Sequence, residues 1–454
     1  MEETMKRFVT LLGIIIFFVA SPVQAKVWYV HPDSALNRIQ RALDTCSTGD
    51  TVLVGPGTYH EKIFWPATQS IRLASERGPA MTVIDGDSLG QVLVIKCVVD
   101  STTVINGFTI THGYDYYFAG GIEIQAGSPT VSGNIITGNR GSNGGGLFCW
   151  QGSRAIITGN IFTRNNAATA NGGWGGGILI YQASPRVTGN TFLANRAYWY
   201  GGGILSQQGS PIITSNRIDS NSVITSNFTG GGGVSFYNDT SVFCHNSVKG
   251  NYARYGGGIR LDWYSCAIID SNTIENNRVY GIFCGDSVFQ PIIQHNNIIN
   301  NFWEGMVHTD SNAYINAENN WWGDSTGPYH PDSNPGGRGD TVSDYVDFIP
   351  WSRWPIVRVE AEVCRPLGPS LVQVYPNPTK GGLSLSFALS SPSYVRIYLY
   401  DITGRKVVNL HDKIVRADEH GLNTRLPENL SSGIYFLRFE TGYIKETQKI
   451  LLMR

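Results

Sequence analysis

The chain has 454 residues, and its 34 Lys and Arg nearly balance its 35 Asp and Glu. Without an excess of basic residues there is no electrostatic footprint for nucleic acid, which excludes a nucleic-acid partner. The 53 glycines together with 11% aromatic residues indicate a turn-rich β protein, because disordered chains are poor in aromatic residues.

Residues 1–25 have the pattern of a secretory signal. Two basic residues precede an apolar run from Phe8 to Ala20, and Val23-Gln24-Ala25 has the small-residue spacing of a cleavage site. The run is shorter than the about 20 residues that a transmembrane helix needs, and no later stretch qualifies. We therefore expect a mature chain that begins near Lys26 and has no transmembrane segment.

A short amphipathic helix is predicted next. Ser34 is suited to cap its N-terminus, and apolar residues between Leu36 and Leu43 share one face. Such a helix can cover the exposed strand edge at the end of a β structure. The following stretch, Gly49–Tyr59, is predicted to form the first strand and its turn.

The middle of the chain repeats with a period near 26 residues. An Asn followed by a short, mostly apolar stretch recurs at steps of 26, 30, 26, 30, 26 and 25 residues. The series is Asn134, Asn160, Asn190, Asn216, Asn246, Asn272 and Asn297, with Asn106 upstream and Asn320 downstream. Glycine triplets recur in phase, each before a short alternating strand, at residues 144–146, 175–177, 201–203, 231–233 and 256–258.

This period matches one coil of a parallel β-helix, in which three strands and three bends need about 25 residues. Each strand then pairs with its equivalents in the neighbouring coils, and stability grows with stacking. A propeller blade is longer, and a leucine-rich repeat would carry a helix. We predict about ten such coils between residues 51 and 315. Gly and Asn are expected at bends that need positive φ, where stacked Asn side chains can also bond the backbone.

The seven cysteines are an odd number for a disulfide framework. Cys149 and Cys284 each come three residues after a glycine that opens a strand, where other repeats carry mostly apolar residues. We predict that both are core thiols that behave as small apolar side chains. A disulfide involving Cys46 and Cys97 is the alternative, which the spacing does not support.

Two motifs beside these repeats carry a resemblance to a known family. Gly49–Tyr59 (GDTVLVGPGTY) and Asn320–Pro328 (NWWGDSTGP), together with the Asn and Gly repeats, resemble pectin-lyase-like right-handed β-helix families of exported bacterial proteins. Val346–Trp351 is similar to the closing strand that follows the Trp-Trp-Gly motif in these families. The resemblance implies a right-handed parallel β-helix over residues 26–355. It implies no single activity, because this fold carries lyases, hydrolases, epimerases and non-catalytic adhesins.

A different composition begins after residues 356–370, which we interpret as a linker. Residues 371–454 alternate apolar runs with turns, including a hairpin turn at Asp401–Gly404, and predict a small immunoglobulin-like β-sandwich of about seven strands. The predicted fold class is therefore all-β, with a right-handed parallel β-helix of about ten coils followed by this sandwich.

Four motifs in this last segment are similar to the C-terminal sorting domain of the type IX secretion system. They are Val374–Pro378, Leu399–Arg405, Ser432–Tyr435 and Lys449–Leu452. The resemblance implies the type IX secretion machinery as a partner and export through the periplasm to the outer cell surface or the medium. It also implies removal of the domain by a surface protease and attachment to lipopolysaccharide. The alternative for this segment is an ordinary carbohydrate-binding sandwich.

Alternation along the strands after the glycine triplets assigns an inward and an outward face. One outward ladder reads Gln125, Trp150, Tyr181, Gln207, Tyr237 and Asp262, and beside it lie Gln151, Gln182, Gln208, Asn238 and Trp263. Flat rings among amides suit a sugar chain, since rings pack on C–H groups and amides bond hydroxyls. The predicted partner is a polysaccharide or other glycan, bound by Trp150, Tyr181, Gln207, Tyr237, Asp262 and Trp263. The alternative is that the aromatic residues only favour strands and stack on each other.

The same face offers little for catalysis. Arg260 and Asp262 lie on one face of a strand and are the candidate catalytic pair, with a surface ion pair as the alternative. Glu123 lies too many coils away to join them, and His308 is more typical of an ordinary polar residue. Lyase chemistry of this kind needs an acidic Ca²⁺ cluster, and hydrolysis needs paired carboxylates. We therefore assign no metal ligands and no cofactor.

Three functions remain open from the sequence. The first is a secreted or cell-surface protein that binds polysaccharide along the outward strand face. The second is a polysaccharide lyase or glycoside hydrolase that uses this face. The third is a non-catalytic adhesin or structural surface protein in which the coils act as a rigid spacer. The glycan, the disulfide pairing and the oligomeric state are not determined by the sequence.

Overall fold

The structure is a computed structural model that describes the chain from residue 25 onward with short gaps. The described residues are 25–169, 172–225, 230–285, 288, 291–311, 314–357, 370–389, 393–415, 418–441 and 445–454. The predicted signal peptide and most of the predicted linker therefore lie outside the described residues.

The middle of the chain is a parallel β-helix, as predicted. Successive coils add one strand each to three long sheets, and every strand pairs in parallel with its equivalents in the neighbouring coils. Sheet 1 contains Val27–Val30, Thr51–Val54, Arg72–Ser75, Val104–Asn106, Thr130–Ser132, Ile156–Thr158, Arg186–Thr188, Ile212–Thr214, Val242–Cys244, Ile268–Asp270, Ile292–Gln294, Ile315–Asn316 and Val346–Asp347.

Sheets 2 and 3 form the other two faces of the coils. Sheet 2 contains Gly57–His60, Thr82–Asp85, Thr109–Thr111, Ile135–Thr137, Ile161–Thr163, Thr191–Leu193, Arg217–Asp219, Ser247–Lys249, Thr273–Glu275 and Asn297–Ile299. Sheet 3 contains Ile63–Phe64, Leu93–Ile95, Ile122–Gln125, Leu147–Trp150, Ile178–Tyr181, Ile204–Gln207, Val234–Tyr237, Ile259–Asp262, Tyr280–Cys284 and Glu304–His308. A short fourth sheet contains Tyr114–Asp115, Arg140–Gly141, Asn166–Ala167, Arg196–Ala197 and Ser222–Val223.

The helix α1, Ile39–Leu43, lies at the N-terminal end and buries its apolar face. Ser34 does not cap it, and its hydroxyl instead donates to the carbonyls of His31 and Leu36. Glu61 caps the helix from the first coil, since its carboxylate accepts the N–H groups of Ile39 and Gln40 at 2.8 and 3.0 Å. The predicted cap was wrong because the helix begins later than its apolar pattern, and a negative charge from another element satisfies its free N–H groups.

The predicted inward face of sheet 3 is confirmed. The strand register stacks Ile124, Cys149, Ile180, Ser206, Phe236, Leu261 and Cys284, which are all buried. Cys149 and Cys284 are free thiols in this core, and burial raises the pKa of Cys149 to about 12. Cys46 and Cys97 are also free thiols, so the disulfide considered for them is wrong.

Two buried ladders of asparagine side chains hold the bends. The first, between sheets 1 and 2, contains Asn134, Asn160, Asn190, Asn216, Asn246, Asn272, Asn296 and Asn320. The second, at the bend after sheet 2, contains Asn139, Asn165, Asn195, Asn221, Asn251, Asn277 and Asn301. In each ladder the side-chain oxygen accepts the backbone N–H of the preceding member, as Asn190 Oδ1 does from Asn160 at 2.9 Å.

The sequence prediction of these ladders needs three corrections. The penultimate member of the first ladder is Asn296 and not Asn297, because the core residue of that coil, Ile298, comes two residues later as in the other coils. Asn106 lies outside the ladder, where Phe108 takes the equivalent position and donates its N–H to Asn134. The ladder asparagines also do not have positive φ, which instead falls on the preceding residue, such as Gly189 at 65°.

The glycine triplets let two parts of a coil approach closely. The first glycine of a triplet has positive φ, as Gly175 does at 64°. A Cβ atom on the central Gly176 would lie 2.3 Å from the carbonyl oxygen of Gly202 and 2.6 Å from the backbone of Arg196. Residues with side chains would therefore push the short fourth sheet away from sheet 3.

The C-terminal segment forms two antiparallel sheets on one apolar core, which confirms the predicted β-sandwich. One sheet contains Ser370–Tyr375, Gly382–Leu389 and Asp418–Arg425. The other contains Ser393–Tyr400, Lys406–Val415, Gly433–Glu440 and Lys445–Leu452. The predicted hairpin turn is present, since Gly404 donates its N–H to the carbonyl of Asp401 at 3.0 Å.

Candidate functional site

The outward face of sheet 3 is partly covered. Its first column of outward side chains is buried, and it contains Glu123, Phe148, Leu179, Leu205, Ser235 and Arg260. Phe118, Trp174 and Tyr200, which lie just before the glycine-rich turns, pack against the apolar members of this column. The sequence analysis placed these outward residues correctly but did not predict that aromatic side chains of the preceding loops would cover them.

The next two columns remain accessible, and we call them the amide–aromatic strip. It contains Gln125, Trp150, Tyr181, Gln207 and Tyr237, which are half-buried, and Gln151, Gln182, Gln208, Asn238 and Trp263, which are exposed. The exposed members occupy the residue after each strand in the left-handed region, with φ between 46 and 53° at Trp263, Asn238, Gln182 and Gln151 and 54° at Gln208. Stacking of coils repeats this turn, so equal side chains stand about 4.8 Å apart.

Contacts within the strip hold its side chains in place. Gln125 donates to Gln151 at 2.7 Å, and Gln182 donates to Gln208 at 3.0 Å. The ring of Tyr237 stacks on that of Trp263, with centroids 6.0 Å apart and planes 28° apart. All ten side chains of the strip are uncharged, so the strip offers rings and amides but no ion-pairing group.

Trp150 is anchored from below by the covered column. Its ring lies 5.3 Å from that of Phe148 at an angle of 8°, and its Nε1 donates to Glu123 at 3.2 Å. The fully buried carboxylate of Glu123 also accepts from Gln91 at 2.7 Å and lies 3.4 Å from Lys96 Nζ. Glu123 therefore orients a strip residue, a role that its sequence position did not reveal.

The candidate catalytic pair forms, but it is buried. The guanidinium of Arg260 donates two hydrogen bonds to the Asp262 carboxylate, one of them at 3.1 Å. The rings of Tyr200, Tyr255 and Phe283 surround the guanidinium with centroids at 5.7, 5.5 and 5.0 Å. The alternative of a surface ion pair is therefore wrong, because these rings exclude solvent from it.

This burial also changes the assignment of Asp262. Only 4% of Asp262 is exposed, so it does not reach the accessible surface with its five ladder neighbours. A carboxylate that is bound to Arg260 and shielded from solvent has the geometry of a structural ion pair. The candidate pair thus lacks access to a chain lying on the strip.

His308 lies beyond this pair and is also buried. Its Nδ1 is 3.4 Å from the carbonyl oxygen of Cys284, and its backbone N–H donates to Ser343 at 2.9 Å. These contacts attach the last strand of sheet 3 to its neighbours. They agree with the interpretation of His308 as an ordinary polar residue.

Family models match both parts of the chain. Residues 83–242 and 218–327 match the model of the right handed beta helix region, and together they span more than half of the chain. The chain therefore belongs to the right-handed β-helix family. Residues 373–453 match the model of the secretion system C-terminal sorting domain. The protein is thus a β-helix protein that type IX secretion exports to the cell surface or the extracellular space.

Other comparisons add little. No curated protein matches the chain. Among solved structures the chain is similar to "The complex structure of XylC with xylose" at 10% identity and a TM-score of 0.33, over 93% of this chain and 100% of that one. So low a score supports no argument about this protein. Within the described residues, no helix has the length and apolar character needed to cross a membrane.

Proposed function

We propose that the protein binds an uncharged polysaccharide along the amide–aromatic strip at the cell surface. The observation that carries this proposal is the continuous column of rings and amides from Gln125 to Tyr237, flanked by exposed amides and Trp263. Four coil steps of about 4.8 Å give a strip of roughly 19 Å, which suits an extended sugar chain. Rings pack on the C–H faces of sugars, and amides exchange hydrogen bonds with hydroxyl groups.

The charge of the strip favours a neutral glycan over a polyuronate. A polyuronate would bring a carboxylate at every sugar, and none of the strip side chains can pair with it. Such carboxylates would lose hydration without gaining a cation. The burial of Arg260 and Asp262 likewise favours binding over catalysis, because that pair cannot reach a bound chain.

Affinity electrophoresis and titration calorimetry with the full mature chain test the proposal. The probes are soluble neutral polysaccharides (glucans, xylans and mannans) and polygalacturonate as the charged comparison. We expect retention by at least one neutral polysaccharide and none by polygalacturonate. Retention by no glycan would leave the third function, a non-catalytic spacer, while release of sugar products would support an enzyme.

Substitution of exposed strip aromatics should weaken this binding. Trp263→Ala and Tyr181→Ala each remove a ring face, and a ring contact of about 1 kcal/mol corresponds to roughly a fivefold loss of affinity. The matched control is Tyr29→Ala, which removes a ring that is 68% exposed on an edge strand of sheet 1. Equal loss in the control, or unchanged retention of the strip variants on every bound glycan, would contradict the proposed surface.

A further inference from the structure

A cluster of histidine and aspartate side chains lies on the outer surface of sheet 2, far from the strip in sequence. His60 ends the first strand of the sheet and Asp85 ends the second, and the strand register places them opposite each other. Asp87 follows two residues after Asp85, in the left-handed region with φ 51°. His112 follows the third strand, also with φ 51°. Three successive coils therefore contribute to one cluster.

Short contacts connect these side chains. His60 Nδ1 lies 2.7 Å from Asp87 Oδ1, and His112 Nδ1 lies 2.8 Å from Asp85 Oδ2. The backbone N–H of Asp87 donates to Asp85 Oδ1 at 2.9 Å. One ligand atom each from His60, Asp85 and Asp87 lies within 4.8 Å of the others, and among the described residues this is the only group of three with that property.

The cluster keeps Asp85 ready to act as an anionic ligand. Partial burial works to raise the pKa of Asp85, but the hydrogen bonds from His112 and from the Asp87 N–H, together with the nearby His60, outweigh burial and lower it. His60, Asp87 and His112 are largely exposed, with side-chain exposures of 58%, 43% and 60%. Their side chains can therefore shift by the few tenths of an ångström that a change of partner requires.

We propose that His60, Asp85 and Asp87 bind a divalent transition-metal cation of the zinc type, with His112 as the residue that positions Asp85. One imidazole and two carboxylates are a donor set that Zn²⁺ accepts at about 2.0–2.2 Å. Ca²⁺ prefers six to eight oxygen ligands, which this cluster does not offer. His60 and Asp87 exchange their mutual hydrogen bond for bonds to the ion, and water completes its coordination. A histidine that holds a ligating carboxylate is a common outer partner of such sites.

The ion would connect the first two coils near the N-terminal end. His60 adjoins Glu61, whose carboxylate caps helix α1, so the metal site stands directly behind the end of the β-helix. A ligand that binds only the folded state raises its stability by mass action. The site is therefore expected to stabilise the end where the coils begin.

Calorimetry with untagged, chelator-treated mature protein tests the site. We expect titration with Zn²⁺ to show one site per chain and to raise the melting temperature by at least about 2 °C. His60→Ala and the near-isosteric Asp87→Asn should weaken binding at least tenfold and abolish the thermal shift. His112→Ala should weaken binding by less, because Asp85 keeps its carboxylate but loses its support.

His295→Ala is the matched control. His295 Nδ1 lies 2.9 Å from Asp270 Oδ1, which gives a similar His–Asp pair that belongs to no three-ligand group among the described residues. This variant should bind Zn²⁺ as the parent does. Failure of the parent to bind, or equal binding by the parent and Asp87→Asn, would overturn the assignment and identify any bound ion as adventitious. Asp87→Asn keeps the test valid even where His60→Ala folds poorly, because Asp87 is a partly exposed turn residue.

Discussion

At the scale of single residues, Asp239 explains why one inward position of sheet 3 is polar. Ser206 faces the core between Ile180 and Phe236, and its hydroxyl donates to Asp239 at 2.6 Å. The other carboxylate oxygen accepts the N–H of Ser241 at 2.7 Å. Burial dominates these hydrogen bonds and raises the pKa of Asp239 to about 6.

This buried carboxyl group predicts a specific pH dependence of stability. Because its pKa is higher in the folded than in the unfolded chain, Asp239 favours folding at pH 4 and below. That contribution is lost as the pH rises towards 6, by roughly 3 kcal/mol for a shift of about two units. Asp239→Asn should remove this decline, and urea unfolding between pH 4 and 7 measures it. Parallel pH profiles of variant and parent would show that Asp239 does not titrate in this way.

At the scale of elements, the asparagine ladders join the coils into one structure. Each ladder asparagine satisfies two polar groups of other coils, as Asn190 does by accepting from Asn160 and donating to the carbonyl of Ile157 at 2.8 Å. Asp340 ends the second ladder, where its carboxylate accepts the N–H groups of Asn300 and Asn301 at 2.7 and 2.9 Å. Buried bends are thereby fully bonded up to the C-terminal end.

Replacing one ladder residue should destabilise the β-helix. Asn190→Leu leaves the backbone and side-chain N–H groups of Asn160 without their acceptor, at about 1–3 kcal/mol for each buried unpaired group. We expect a clearly lower melting temperature by calorimetry. Thr191→Leu, one residue later on the outward face, is the control and should have little effect. A variant as stable as the parent would contradict the role of the ladder.

At the scale of the whole molecule, the two folded parts have separate cores and separate tasks. The β-helix stacks its coils around one apolar core, and the C-terminal sandwich packs its two sheets around another. The sorting domain accounts for export, and the β-helix carries the strip proposed for glycan binding. Residues that serve one task are therefore expected to be dispensable for the other.

Removal of the sorting domain should separate these tasks. Deletion of residues 371–454 is expected to retain the protein in the periplasm of its host, because the signal for crossing the outer membrane is lost. Fractionation and surface labelling measure this outcome. Trp263→Ala, which keeps the sorting domain, should reach the surface like the parent. Surface display of the truncated chain would refute the assigned signal.

The repeat pattern alone determined the β-helix, its inward residues and the sorting domain. Parallel stacking brings equivalent positions of successive coils together, so a period near 26 residues fixes pairing and alternation fixes the faces. Cys149 and Cys284 could be placed in the core for this reason. The second ladder was also readable, since Asn139 follows Asn134 by five residues and the same spacing recurs in later coils.

Only the tertiary structure decided what covers sheet 3 and which polar groups meet. The burial of Arg260 and Asp262 depends on Tyr200 and Tyr255, which loops of unequal length bring over the strand from other positions in the chain. The approach of His60 to Asp87 likewise joins two coils through a turn that breaks the repeat. A period specifies positions that recur, whereas these contacts arise from the path of the segments that do not.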